Sequence, residues 1–125
     1  MSIHKLEDLE VYTLSEKLGD EIWEIVIGWD YFIQLTRSVD SISANVAEGY
    51  GRYHYKENRN FCYFSRGSII ETKSWLQKAK NRNLITEDKF ASLFKQLEII
   101  HVKLNAYMKF IGKASTLAKT NEQLN

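Results

Sequence analysis

Apolar residues recur every three or four positions along four stretches of the chain, which is the spacing of one face of an α-helix. The first two stretches contain Val11, Leu14, Leu18, Ile22 and Ile25, then Leu35, Val39, Ile42 and Val46. The third contains Phe61, Phe64, Ser68, Thr72, Trp75 and Ala79, and the fourth contains Phe90, Leu93, Leu97, Ile100, Leu104, Met108 and Ile111. The pattern predicts four amphipathic helices with these residues in a shared core.

Residue types beside these stretches predict where the helices begin and end. Glycine favours helix carboxyl ends, so we expect helix one to end near Gly28, helix two at Gly49 and helix four at Gly112. Asp30 and Thr86 each have a side-chain oxygen that can cap the amino ends of helices two and four.

Short connections between long helices predict the fold class. Helix three is expected between a loop at residues 50–55 and a polar stretch at 81–83. The chain has no proline and only six glycines, and proline would cost about 3 kcal/mol inside a helix. We therefore predict an all-α, antiparallel up-down-up-down four-helix bundle over residues 1–112. Residues 113–125 are mostly polar and are expected to form a disordered tail.

The near-zero net charge of +1 hides a strong asymmetry along the chain. Residues 1–50 contain three basic and ten acidic residues, whereas residues 51–82 contain eight basic and two acidic residues. Helix three is therefore predicted to be electropositive, and it could meet either phosphates or the acidic helix one of a neighbouring subunit.

Helix two also has a polar stripe at helical spacing, comprising Gln34, Arg37, Ser38, Ser41, Asn45 and Glu48. Such a stripe is often a solvated outer face. However, short polar side chains suit close, hydrogen-bonded contact better than the Lys and Glu found on other outer faces. The residues predicted to form an oligomer interface are Gln34, Arg37, Ser41, Asn45 and Glu48.

The same helix has the most specific sequence signal. The run from Gln34 to Arg52, and above all its Ser-Ile-x-Ala-Asn-x-Ala-Glu-Gly segment at 41–49, resembles the signature of the 23S ribosomal RNA intervening-sequence proteins. The segment 61–71, with Phe-x-x-Phe-x-Arg-Gly-Ser, and the opening segment 6–11 are similar to two further blocks of that family. The resemblance covers about residues 6–111.

This resemblance implies a left-handed bundle that assembles into a ring, usually a homopentamer. A related branch, the accessory proteins of diversity-generating retroelements, implies binding to nucleic acid and to a reverse transcriptase. The chain departs from the pattern at Ser43, where proline is frequent, at Ser38, where alanine is usual, and in a shortened connection at 28–30. The accessory branch is also strongly basic, whereas this chain is nearly neutral.

The segment 50–59 is the second candidate for function, because tyrosines and a histidine alternate with basic residues. This composition suits stacking on exposed bases and pairing with phosphates. With one basic residue further along helix three, the predicted nucleic-acid site is Arg52, Tyr53, Tyr55, Lys56, Arg59 and Arg66. The alternative is that these aromatic residues pack the corner between helices two and three, or a subunit interface.

The sequence lacks the residue patterns required for metal binding, dinucleotide binding or catalysis. The three histidines are not at metal-ligand spacing, and no glycine-rich dinucleotide motif follows a strand. Cys62 has no histidine at helical spacing, so a buried structural role is predicted. Glu48 and Glu71 could form a carboxylate pair but specify no reaction. We therefore predict no enzyme activity, no metal and no cofactor.

The amino terminus continues into acidic residues rather than an apolar signal region, and no stretch is long and apolar enough for a bilayer, so we expect a cytoplasmic protein that does not contact membranes. Two functions stay open: a homo-oligomeric accessory protein that binds RNA or DNA, and a structural module that binds a protein partner.

Overall fold

The computed structural model describes residues 5–29 and 32–124, and this part of the chain contains four α-helices and no strand. The helices are α1 (Glu10–Val26), α2 (Ile33–Tyr50), α3 (Tyr55–Asn81) and α4 (Glu87–Leu124). A short 3₁₀ helix, Leu6–Asp8, precedes α1. The predicted all-α class and four-helix bundle are confirmed. The predicted cap Asp30 lies outside the described residues.

The helices pack in a cycle, α1 on α2, α2 on α3, α3 on α4 and α4 back on α1. Glu10, at the start of α1, forms an ion pair with Lys103 of α4, whereas Glu21, further along α1, forms an ion pair with Lys89. These two helices therefore run antiparallel. The left-handed sense of the bundle remains a prediction.

The predicted core faces of helices one, two and four lie inside the bundle. The fully buried members are Leu18 and Ile22 of α1, Leu35, Val39, Ile42 and Val46 of α2, and Leu93, Leu97, Ile100 and Leu104 of α4. Thr86 also caps α4 as predicted, since its hydroxyl accepts a hydrogen bond from the Lys89 backbone N–H at 3.1 Å.

The predicted register of helix three is partly wrong. Phe64 is 57% exposed, whereas Cys62 and Ile69 are fully buried. The side that α3 turns towards α2 contains small hydroxyl side chains, and the Ser65 hydroxyl donates to the Ile42 carbonyl at 2.6 Å. Small side chains let two helices approach closely, so the larger Phe64 ring points outward instead.

The predicted end of helix four at Gly112 is also wrong, and residues 113–124 are helical rather than disordered. Gly112 has no positive φ, so it is not a left-handed helix terminator. A Cβ atom at this position would lie 3.1 Å from the hydroxyl of Tyr55. The glycine therefore gives space to a neighbouring side chain, and α4 continues past it.

Candidate nucleic-acid interface

The loop between α2 and α3 meets the carboxyl-terminal part of α4, and two adjoining clefts lie where they meet. The loop cleft, of about 770 Å³, is lined by Arg52, Tyr53 and His54 on one side and by α4 residues from Ile111 to Lys119 on the other. The Arg59 cleft, of about 800 Å³, is lined by Arg59 of α3 and α4 residues from Met108 to Lys119. Tyr55 and Lys56 line both clefts.

The short α2–α3 connection places an aromatic side chain at the rim of the loop cleft. The extended backbone of His54 ends the connection, and its carbonyl accepts hydrogen bonds from the first turn of α3. Tyr53 is 94% exposed, and within the described part of the chain its ring makes an edge-on contact with the His54 ring at 5.0 Å between centroids. One face of this ring is therefore open to a flat ligand.

The structure brings five of the six predicted nucleic-acid residues together at the two clefts, namely Arg52, Tyr53, Tyr55, Lys56 and Arg59. Arg66 does not line either cleft. It lies seven residues after Arg59, about 10 Å further along α3, where its guanidinium stacks over the Tyr63 ring.

Two of the arginines are held in place by aromatic rings. The Arg52 guanidinium lies 5.0 Å from the Phe61 ring centre and forms a 2.6 Å ion pair with Glu48. The Arg59 guanidinium lies 5.6 Å from the Tyr55 ring centre. Its Nε atom is buried without a hydrogen-bond partner in the described structure, so one donor of this cation is unsatisfied.

The clefts are electropositive because cationic side chains from three segments line them, and the nearby Glu48 pairs with only one of these cations, Arg52. The cations that line them are Arg52, Lys56, Arg59, Lys109, Lys113 and Lys119. The described residues lining either cleft include no aspartate or glutamate. Among these six, only Arg52 has an ion pair within the described part of the chain.

The positive surface continues beyond the clefts along α3. His101 of α4 faces it, and partial burial together with the charges of Lys73 and Arg66 lowers the pKa of this histidine. A lowered pKa keeps His101 neutral at pH 7, so the arginines and lysines supply the positive charge of this surface.

Sequence reasoning missed Lys113 and Lys119, because it treated residues 113–125 as a disordered tail, and it did not connect Lys109 of helix four with the α2–α3 loop. A signal was present. Ser115 and Ala118 continue the three- and four-residue spacing of Met108 and Ile111. Their small size made the continuation harder to recognise than the preceding leucines and isoleucines.

The residues of the predicted oligomer interface divide into two groups. Gln34, Arg37 and Glu48 are exposed, although Glu48 pairs with Arg52. Ser41 and Asn45 are half-buried and bonded within their own bundle: the Ser41 hydroxyl shares a 2.8 Å hydrogen bond with Ser68, and Asn45 Nδ2 donates to the Ser41 carbonyl at 2.8 Å. The Ser41 hydroxyl therefore links α2 to α3, and Asn45 Nδ2 supports it from within α2 by a 2.9 Å hydrogen bond to Ser41 Oγ.

Both unusual serines of α2 have hydrogen-bond partners in the bundle. The Thr72 hydroxyl donates to Ser38 Oγ at 3.0 Å, and the Ser43 hydroxyl donates to Glu16 Oε2 at 3.1 Å. The short polar side chains of this helix thus serve contacts with both α3 and α1. These contacts explain why residues of low helix propensity occur on α2, and a solvated outer face would not explain it as well.

No reactive group accompanies the clefts within the described residues. Cys62 is fully buried, as predicted, and burial raises the pKa of its thiol to about 11, which disfavours the nucleophilic thiolate. The described residues contain no group of three or more His, Cys, Asp or Glu side chains placed to hold a metal ion. None of the described helices combines the length and apolar character needed to cross a membrane.

Comparison with known proteins identifies related sequences and folds. A family model described as 23S rRNA-intervening sequence protein matches residues 7–106. A crystal structure from Bacteroides thetaiotaomicron, of a protein with unknown function from the S23 ribosomal protein family, superposes with a TM-score of 0.72. It is 20% identical and covers 79% of this chain and 98% of its own. No curated protein matches. The solved structure supports the bundle fold.

Proposed function

The chain belongs to the 23S rRNA-intervening sequence protein family, and we propose that it is a non-enzymatic accessory protein that binds RNA or DNA as a closed homo-oligomer. One observation carries the proposal: six cationic side chains converge on two clefts whose described lining contains no carboxylate. The family is named after an RNA insertion rather than a reaction, and its structural relative is a protein of unknown function.

Phosphate groups would supply the negative charge that the cleft linings lack. Phosphate oxygens could pair with the Arg59 and Lys56 cations that line the clefts, and this neutralisation would release the counterions condensed on the nucleic acid. Tyr53 offers an exposed ring beside these cations, and base stacking on such rings contributes about 1–3 kcal/mol per base. The combination of open ring and unpaired cations suits a polyanion that also has flat bases.

Within the acidic half of the sequence, Glu48 pairs with Arg52, whereas three other carboxylates do not line the clefts. These three, at Glu16, Asp20 and Asp40, lie between α1 and α2, where they interact with one another. Asp40 is ten residues from Tyr50, or about 15 Å along α2 from the loop that leads to the clefts. The molecule is thus polarised, and its net charge of +1 understates the potential at the clefts.

Oligomerisation would repeat the clefts. In a ring, most simply the homopentamer implied by the family, each copy adds another set of cations, and several weak contacts act together on one strand. The proposed interface uses the exposed α2 residues Gln34, Arg37 and Glu48, with an acidic α1–α2 surface of one copy against the basic α3 of the next.

A structural module that binds a protein partner is the second candidate, and exposed apolar side chains on α3 favour it. Tyr63, Phe64 and Ile70 are 42%, 57% and 53% exposed on the outer side of this helix. Aromatic residues beside an arginine are typical of protein interfaces. These residues could serve the homo-oligomer as well as a different partner.

Fluorescence anisotropy with labelled RNA and DNA across a salt series tests the proposal. We expect binding at low salt that weakens steeply as salt rises, and the double variant Arg52→Ala/Arg59→Ala should reduce the salt slope. The matched control Lys17→Ala/Lys95→Ala removes two exposed cations that do not line the clefts, and it should bind as the wild type does. Absence of binding at low salt would reject nucleic-acid recognition in favour of the protein-binding module.

A further inference from the structure

We infer that the last turns of α4, residues 113–124, form an arm that makes the clefts selective for single-stranded over duplex nucleic acid. The inference rests on the proposed function and names the substrate class of the same site. It concerns a segment that extends beyond the family match at residues 7–106.

The arm begins where Tyr55 packs against Gly112 and then projects beyond this contact. Twelve helical residues extend it by about 18 Å. Along residues 113–121 every side chain is exposed except Ser115, which is half-buried. The rest of the bundle therefore leaves most of the arm surface open to a ligand.

Cations lie on both sides of this narrow arm. Lys113 and Arg59 line the Arg59 cleft on one side, and Arg52 lines the loop cleft on the other. Lys119 lines both clefts. A flexible single strand can bend across the arm and place phosphates in both clefts at once. A duplex, which stays stiff over about 150 base pairs, cannot follow such a path without a bending cost.

The aromatic rim adds a second reason for the preference. Tyr53 presents its ring beside the loop cleft with 94% of the residue exposed. Bases in a duplex already stack on one another, so only an unpaired base can place its face on this ring. Phosphate contacts are common to both ligands, whereas this stacking contact is available to the single strand alone.

The test compares one labelled oligonucleotide of about 20 nucleotides, chosen not to pair with itself, before and after annealing to its complement. This length exceeds the ~4–16 nucleotides that a small binding fold covers. With the full-length chain we expect tighter binding to the single strand. Tyr53→Ala should weaken single-strand binding about tenfold and leave duplex binding within about twofold, whereas Tyr53→Phe, which keeps the ring, should bind as the wild type does.

The role of the arm is tested by Lys113→Ala/Lys119→Ala, which should lower the single-strand salt slope by about 1.4, with Lys17→Ala/Lys95→Ala as the charge-matched control. Circular dichroism checks that both variants keep their helices. Equal affinity for the two ligands, or an arm variant that behaves like its control, overturns the inference while binding to nucleic acid stands. Failure of the wild type to bind either ligand overturns the proposed function and the inference together.

Discussion

Gly49 of α2 lies so close to Asn58 of α3 that a Cβ atom at position 49 would be 2.6 Å from the Asn58 side-chain oxygen. The same atom would be 2.9 Å from the Phe61 Cβ and 3.0 Å from the Asn58 carbonyl oxygen. Asn58 also donates a 3.1 Å hydrogen bond to the hydroxyl of the buried Tyr107. The glycine that ends the signature segment therefore sets the distance between α2 and α3 next to the loop that lines the clefts.

Gly49→Ala should destabilise the protein by about 1–3 kcal/mol, even though alanine favours helices by about 1 kcal/mol over glycine. The steric overlap outweighs the gain in helix propensity, because two of the three opposing atoms belong to the α3 backbone or to a Cβ and cannot rotate away. Urea unfolding followed by circular dichroism measures the change.

Gly67→Ala is the matched control for this prediction. Gly67 is also inside a helix, α3, but nothing lies within 4 Å of a Cβ atom built there. Alanine should therefore stabilise the protein at this position by up to about 1 kcal/mol. If both substitutions stabilise equally, the close contact between α2 and α3 at Gly49 is refuted.

Leu97→Ala and Phe64→Ala should separate the observed register of the bundle from the one predicted by hydrophobic spacing alone. Leu97 is fully buried, so its truncation leaves a cavity and should cost about 2–5 kcal/mol in the free energy of unfolding. Phe64 is 57% exposed and keeps an edge contact with Phe61, so its truncation should cost about 1 kcal/mol or less. Similar large losses at both positions would support the register predicted from the sequence.

The sequence predicts those parts of the fold in which large apolar residues mark the buried side. This holds for α2 and α4, where every predicted leucine, isoleucine and valine between Leu35 and Val46, and between Leu93 and Leu104, is buried. It fails on part of α3, because the Ser65 hydroxyl bonds across to the α2 backbone and occupies a buried position next to Phe64, which side-chain size alone would have placed inside.

The candidate site could be predicted only in its local part. Residues 52–59 are close in sequence, so their composition predicted a shared surface. Lys113 and Lys119 reach the same clefts through the packing of α4, and a glycine at 112 suggested a helix end. Whether a glycine ends a helix or makes room for a neighbour depends on the distant Tyr55 hydroxyl, which the local sequence does not contain.

Asp40→Asn should stabilise the protein at pH 7 by a few tenths of a kcal/mol and have no effect near pH 3. Burial first, then the negative charges of Glu16 and Asp20, raise the pKa of the Asp40 carboxyl. A raised pKa in the folded state means that the protonated acid is favoured there. The stability that this preference gives the folded protein is fully present below the pKa of the unfolded chain, and it is lost as the pH rises through the pKa of the folded protein. An amide has no proton to lose, so Asp40→Asn avoids this loss of stability at pH 7.

Thermal unfolding at the two pH values measures this difference between Asp40→Asn and the wild type. Glu71→Gln removes the same charge from an exposed position on the basic α3, and it should give no gain at pH 7. A stabilisation by Asp40→Asn that is equal at both pH values would show that charge repulsion is not its cause.

Light scattering at tens of micromolar should give the mass of a closed oligomer, and Arg37→Glu should shift this mass towards the monomer. Arg37 is the better test of the proposed interface, because it is exposed and has no ion pair within the described residues. Glu48→Lys should act in the same direction, but it also breaks the ion pair with Arg52. Lys95→Glu reverses a charge on the exposed side of α4 and serves as the control, since it should leave the mass unchanged. A wild-type protein that remains monomeric at this concentration would reject the ring, and nucleic-acid binding would then rest on the two clefts of a single copy.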